Sequence, residues 1–267
     1  MNRTYIEERC VFPISTTTMK HDCNHKLLTA FGCSEARLPY LKELNDKIQK
    51  ACDKAGRNRS EVTLIAVSKT KPVEALREAM ECGIRVFGEN KVQEMRDKHA
   101  EITEDLDWHM IGHLQANKVK YLPGMACMIH SVDNIKLAEE IEKQFAKHDL
   151  KIDVLLEVNM AHEDTKFGLA PEEVIPFVKE ISSLSHLNIR GLMTIAPYTD
   201  DPESNRVYFK GLRELRDSIN EQKLLPAPMD TLSMGMTGDY MIAIEEGATF
   251  VRVGTGIFGE RDYSKKI

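Results

Sequence analysis

Lys69 follows the apolar run Val62-Thr63-Leu64-Ile65-Ala66-Val67 with only Ser68 between, so its side chain starts at the end of a buried segment. A lysine held in a partly dry site has a lowered pKa and can form a Schiff base with a carbonyl. Late in the chain, two segments are rich in glycine and hydroxyls: Ser233-Met234-Gly235-Met236-Thr237-Gly238 and Arg252-Val253-Gly254-Thr255-Gly256. Small residues let backbone N–H groups approach an anion, and hydroxyls add further donors, so both segments suit a phosphate group. Each signal alone is weak, because most loop lysines are solvated and most glycine-rich turns merely turn. Glu89 and Glu157, each closing an apolar run, are candidate carboxylate bases. Carboxylates in such places more often cap helices or pair with Lys and Arg.

Which of these groups meet depends on the elements that carry them. Leu38, Leu41, Leu44, Ile48 and Ala51 recur at helical spacing up to Gly56. Short apolar runs rich in β-branched residues then alternate with amphipathic segments. Strands are expected near residues 64, 85, 110, 128, 155, 191, 232 and 251, each separated from the next by a helical segment. Strict alternation argues for a parallel sheet. Eight such units in about 200 residues are what a closed (β/α)8 barrel requires. The fold class expected is therefore α/β, a single TIM barrel over residues 38–267 with an extra N-terminal helix. No GxGxxG follows the first strand, which argues against a doubly wound open sheet. In such a barrel the site lies at the C-terminal strand ends, and the loops after strands 7 and 8 commonly bind phosphate. Lys69 then faces the two glycine-rich segments across one mouth. A reactive amine beside a phosphate site is the pair that pyridoxal 5′-phosphate (PLP) demands.

The 267 residues carry a net charge of −6, which gives no drive toward nucleic acid or an anionic membrane. No apolar run approaches the roughly 20 residues of a membrane-spanning helix. Six cysteines follow no disulfide-scaffold spacing, so reduced thiols are expected. Cys23 and Cys33 with His21 and His25 lack the CxxC spacing of a zinc site, and no metal is expected. Residues 1–37 lack hydrophobic periodicity and are read as a disordered extension. Glu7 and Glu8 fit neither a secretory signal nor a mitochondrial presequence. A cytoplasmic location is expected, with mitochondria as the alternative.

The segment AVSKTKP at 66–72 resembles the PLP-lysine motif of the pyridoxal phosphate homeostasis protein family. Further matches follow in order: FGEN at 87–90 with Val92-Gln93-Glu94, WHMIGHLQANK at 108–118, Ser131-Val132-Asp133, and Asn159 with Glu163, Lys166 and Gly168. GLMTI at 191–195, LSMGMTGDY at 232–240 and VRVGTGIFGER at 251–261 complete the series. The resemblance covers about residues 38–267 and implies the PLP fold-type III barrel of the alanine racemase N-terminal domain. It implies that Lys69 bonds the cofactor, that Arg252 faces the pyridine nitrogen, and that Ser233, Gly235, Thr237, Gly254 and Thr255 surround the phosphate. Asn90, His109 and Asn159 are implied as further pocket residues. Thr237 stands where a serine is expected and keeps the hydroxyl.

An arginine at the pyridine nitrogen stays protonated and leaves that nitrogen neutral, which weakens the ring as an electron sink. In the resembling racemases a second base comes from a separate β domain, and these 267 residues are expected to leave no room for one. Tyr240 and Tyr263 are the substitutes weighed; packing or capping the barrel end is the plainer role for both. The expectation is thus a non-catalytic, monomeric PLP carrier in vitamin B6 homeostasis. It would store PLP as a Schiff base on Lys69 and release it to free amino acids or PLP-dependent apoenzymes. A low-activity amino acid racemase is the alternative. A phosphate-binding isomerase using Glu89 or Glu157 is a more distant third.

Overall fold

The computed structural model describes residues 38–163 and 165–259, so the expected extension over 1–37 and its Cys and His residues lie outside it. Helix α1, Leu38–Lys54, buries Leu41, Leu44, Ile48 and Ala51 on one face. Eight strands follow: β1 Thr63–Val67, β2 Val86–Glu89, β3 Asp107–Met110, β4 Met128–Val132, β5 Ile152–Glu157, β6 Leu187–Met193, β7 Thr231–Met236 and β8 Phe250–Val253. The intervening helices are α2 Val73–Glu81, α3 Val92–Glu101, α4 Ile135–Ala146, α5 Val174–Ile181, α6 Arg206–Glu221, α7 Tyr240–Glu245 and, after β8, α8 Thr255–Phe258. Between β3 and β4 the crossover is a 3-10 turn over Ala116–Tyr121, where a short helix was expected.

The strands are all parallel and close in chain order, with β8 pairing back to β1 from Thr63↔Phe250 to Ala66↔Val253. The expected (β/α)8 barrel with an extra N-terminal helix is the fold observed. The reason is visible in the strands. Runs such as Ile152–Glu157 are buried along almost their whole length because helices cover one face, carrying Ile152, Val154 and Leu156, and the barrel interior encloses the other. The main core lies between strands and helices, with Leu76, Phe145 and Phe209 wholly buried in it. A small inner layer of Met128, Leu155 and Met193, with Phe250 packed against it, fills the barrel itself.

Alternation along each strand carries the inner layer upward to the mouth. Ile65 is followed by Val67 and then Lys69, Leu155 by Glu157, and Phe250 by Arg252 and Gly254. A methyl group on Gly88 would strike Ile65 and Ile111, so a side chain there would close the interior beneath Asn90. Glycine at 191 lets β6 and β7 approach, because an added Cβ would overlap the Thr231 carbonyl. Among the described cysteines, Cys52 and Cys127 are free thiols. No helix among the described residues is long and apolar enough to cross a membrane.

Candidate functional site

A cleft of about 450 Å³ opens at the C-terminal ends of the strands. Lys69, Asn90, Thr237, Arg252, Gly254 and Thr255 line it. These six come from β1, β2, β7 and β8 or the residues just after them, on one side of the mouth. Pairing of β8 with both β7 and β1 makes this convergence, since it brings the last strand's Arg252 and Gly254 beside the first strand's end. A Cβ on Gly254 would lie 3.3 Å from the Val67 carbonyl oxygen, so glycine permits the close approach there. The first turn of α8 also leaves backbone N–H groups without helical partners beside Thr255. Lys71 Nζ donates to the carbonyls of Phe258 at 3.0 Å and Gly259 at 3.2 Å, anchoring the far end of α8 to the lysine-bearing turn.

Arg252 is held from below. Its Nη1 donates to Ser233 Oγ at 2.6 Å and its Nη2 to the Thr194 carbonyl at 2.8 Å. Ser233 Oγ lies 3.0 Å from His130 Nδ1, and His130 Nε2 lies 2.8 Å from His109 Nδ1. With Arg252 donating to the serine oxygen, a consistent assignment has Ser233 donate its own proton to His130 Nδ1. His130 then donates from Nε2 to His109, and both rings are neutral. Burial pushes the His109 pKa down to about 4, and the His130 pKa falls well below the ordinary histidine value for the same reason, helped by its neighbours His109 and Arg252. Burial also lowers the Arg252 pKa to about 10, while Glu157 and Asp239 oppose the shift. The guanidinium remains charged at neutral pH.

Four of the ten residues implied as the cofactor pocket do not line the cleft. Ser233 is fully buried behind Arg252, and His109 lies deeper still, its ring edge-on to Phe250. Asn159 spends its side chain on its own loop, donating to the Glu163 carbonyl at 2.9 Å and accepting from the Glu163 N–H at 3.2 Å. Gly235 has φ 88, and a Cβ there would strike Tyr240 and Ala243 on α7. Its glycine therefore serves the packing of the β7 turn. Tyr240 is buried in the hydrophobic core, with its pKa raised chiefly by burial, and does not line the cleft. Tyr263 lies outside the described residues.

The candidate carboxylates are also separated from the cleft wall. Glu89 is buried and accepts from Ser68 Oγ and Lys98 Nζ, both at 2.6 Å. Burial raises its pKa, with Lys98 acting in the opposite sense. Glu157 is 6% exposed, and its pKa rises to about 7 through burial and the nearby Asp133. Residues not singled out as site members include Lys71, Lys166, Tyr198 and Asp239, all of which line the cleft. Asp239 accepts from the Met236 N–H at 2.6 Å and from Asn205 Nδ2 at 2.8 Å, buckling the turn that presents Thr237 and Gly238. An aspartate just before a helical segment reads as a helix cap, but its side chain makes no cap bond and turns back onto Met236; Tyr198, in an irregular loop after β6, carried no signal.

Fold and site together define a (β/α)8 barrel whose mouth joins a lysine, a buried arginine and two glycine-rich loops. The model of the alanine racemase N-terminal domain family matches residues 40–262. A pyridoxal phosphate homeostasis protein of Aquifex aeolicus is 47% identical over 224 residues, covering 84% of this chain and 97% of that protein. The structure of PipY of Synechococcus elongatus with PLP bound superposes with a TM-score of 0.70 at 35% identity, covering 80% of this chain and all of that one. Alanine racemase from Corynebacterium glutamicum, at 13% identity and a TM-score of 0.60 over 83% of this chain and 62% of its own, shares the fold alone. The chain belongs to the pyridoxal phosphate homeostasis protein family.

Proposed function

We propose that this protein binds PLP at the barrel mouth through Lys69 and acts in PLP homeostasis as a store and donor of the cofactor. The observation that carries the reading is the convergence of Lys69, Arg252, Thr237, Gly254 and Thr255 on one cleft of about 450 Å³. The volume suits a small aromatic cofactor, and glycine at 254 lets the loop after β8 pack closely against Val67 beside the lysine-bearing turn. When bound, PLP supplies an aldehyde that condenses with amines and a ring that withdraws electrons from the carbon so attached. Lys69 offers the amine, Thr237 and Thr255 offer hydroxyls, and the turns at Gly238 and Gly254 offer backbone N–H groups to the phosphate. Arg252 donates hydrogen bonds and keeps its own proton, so a ring nitrogen held beside it would stay unprotonated.

Storage and delivery, rather than turnover, is the fuller form of this reading. It is supported by the name borne by relatives at 39–47% identity and by Arg252 in place of an acidic partner. Tyr240, the described candidate for a second base, lies in the core. Free amino acids or apoenzymes would take the cofactor from Lys69 by amine exchange. The test is the absorption spectrum of the purified protein after incubation with PLP, with and without Lys69→Ala. A visible band that borohydride fixes, and that the variant lacks, is expected. A protein that stays colourless with PLP overturns the binding reading. Robust cofactor-dependent loss of deuterium from the α-carbon of an amino acid overturns the carrier reading in favour of a racemase.

A further inference from the structure

A second polar cluster lies under the turn that carries Lys69, and the amine chemistry does not account for it. Lys98, on α3, is 5% exposed. Its ammonium donates to the Ser68 carbonyl at 2.7 Å, to Glu89 Oε1 at 2.6 Å and to Glu94 Oε1 at 2.7 Å. Three protons thus meet three acceptors. Ser68 Oγ donates to the same Glu89 oxygen at 2.6 Å, and the Thr70 N–H donates to the same Glu94 oxygen at 2.5 Å. The peptide groups on both sides of Lys69 are therefore held by one cluster, Ser68 through its carbonyl and Thr70 through its N–H.

The turn needs holding. The Lys71 N–H closes it onto the Ser68 carbonyl at 3.0 Å, and Thr70 has φ 63. That left-handed conformation at the third position of a turn favours glycine, and a β-branched residue adopts it only where its surroundings impose it. Glu94 on the Thr70 N–H and Lys98 on the Ser68 carbonyl are those surroundings. The direction in which the Lys69 side chain leaves the backbone follows from this turn.

We infer that Lys98, with Glu89 and Glu94, is a positioning residue for Lys69: the buried cluster sets the turn from which the cofactor-bonding amine is presented. This rests on the proposed bonding of PLP to Lys69. Uncompensated loss of Lys98 would leave Glu89 buried and unpaired and endanger folding. Two milder variants avoid this. Glu94→Gln keeps the shape of a partly exposed side chain, and Lys98→Met combined with Glu89→Gln removes both buried charges together.

The experiment measures thermal unfolding of each PLP-free protein and then the release of bound PLP into an excess of a trapping amine. Borohydride fixation and peptide mapping locate the bound cofactor. The expected result is a wild-type adduct on Lys69, unfolding temperatures within a few degrees of wild type for at least one variant, and PLP release from that variant about tenfold faster or more. A merely structural role would move unfolding without moving release from the folded protein. If variants folded as well as wild type release PLP at the wild-type rate, the positioning role is overturned while PLP on Lys69 stands. A wild-type protein that binds no PLP at Lys69 overturns both the site reading and this inference. If both variants fail to fold, the cluster is a folding element and the positioning role is likewise rejected.

Discussion

Replacing His109 with Asn probes the buried relay without touching the cleft wall. Asn Oδ1 can take the place of His109 Nδ1 as acceptor for His130 Nε2, which lies 2.8 Å away in the native pair. The side chain loses its titration. In the folded chain the His109 pKa is pushed down to about 4 from an ordinary 6.5 by complete burial. Between those values the unfolded chain binds the proton and the folded chain does not. The contribution of His109 is therefore fully present above pH 6.5 and is lost as pH falls toward 4. From pH 7.5 to 4.5 it amounts to about 2.5 kcal/mol. His130 acts in the same direction and Glu157 in the opposite one, so wild type should lose stability over this range by a smaller net amount than the two histidines alone imply. Urea unfolding of the PLP-free protein at a series of pH values, followed by fluorescence of the single, buried Trp108, measures this. The His109→Asn curve should be flatter than wild type by about 2.5 kcal/mol between pH 7.5 and 4.5. Any constant offset from the smaller side chain is irrelevant, because only the change with pH is read. Parallel curves for the two proteins would refute the neutral buried relay.

Ser233→Ala removes the oxygen shared by Arg252 and His130. It should cost about 1–3 kcal/mol in urea unfolding, the range for orphaned buried polar groups, and weaken PLP binding in a titration. Glu157→Gln should behave oppositely to His109→Asn. The wild-type carboxyl, held near pH 7 in the folded state against 4.5 for the free group, contributes stability that is lost as pH rises through that window. The variant should therefore gain on wild type by up to about 3 kcal/mol between pH 4 and pH 8 in the same unfolding assay. Gly191→Ala would force a methyl group onto the Thr231 carbonyl and part β6 from β7. Insoluble expression, or a loss of about 3 kcal/mol or more in urea unfolding, is expected; wild-type stability would show that the strands can separate there without cost.

Much of the architecture could be read along the chain because barrel strands and helices are local in sequence. Apolar β-branched runs such as Val62–Val67 and amphipathic segments such as Leu38–Lys54 declare themselves by period alone, and their alternation dictates parallel order. Boundaries were less legible. The second strand was expected near residue 85 but runs over Val86–Glu89, since pairing of Val86 with Asp107, not apolarity, decides where it starts. Residues placed at strand ends by their own loops, such as Lys69, Thr237 and Gly254, could be assigned to the mouth before any coordinates.

Sequence by itself thus determined the barrel, the end of it that bears the site, and the lysine that faces the phosphate-suited loops, because each depends on neighbours along one strand and turn. The tertiary structure alone decided which side chains reach the cleft and which stand behind it. Ser233 and His109 look like site residues on a strand, yet Ser233 holds Arg252 from within the barrel and His109 backs it through His130, an arrangement that requires β3, β4, β7 and β8 to meet. Lys98 looks like a surface charge on a polar helix and becomes the clamp on the Lys69 turn. Burial and partners across strands set those roles, and both arise only when distant segments of the chain are brought together.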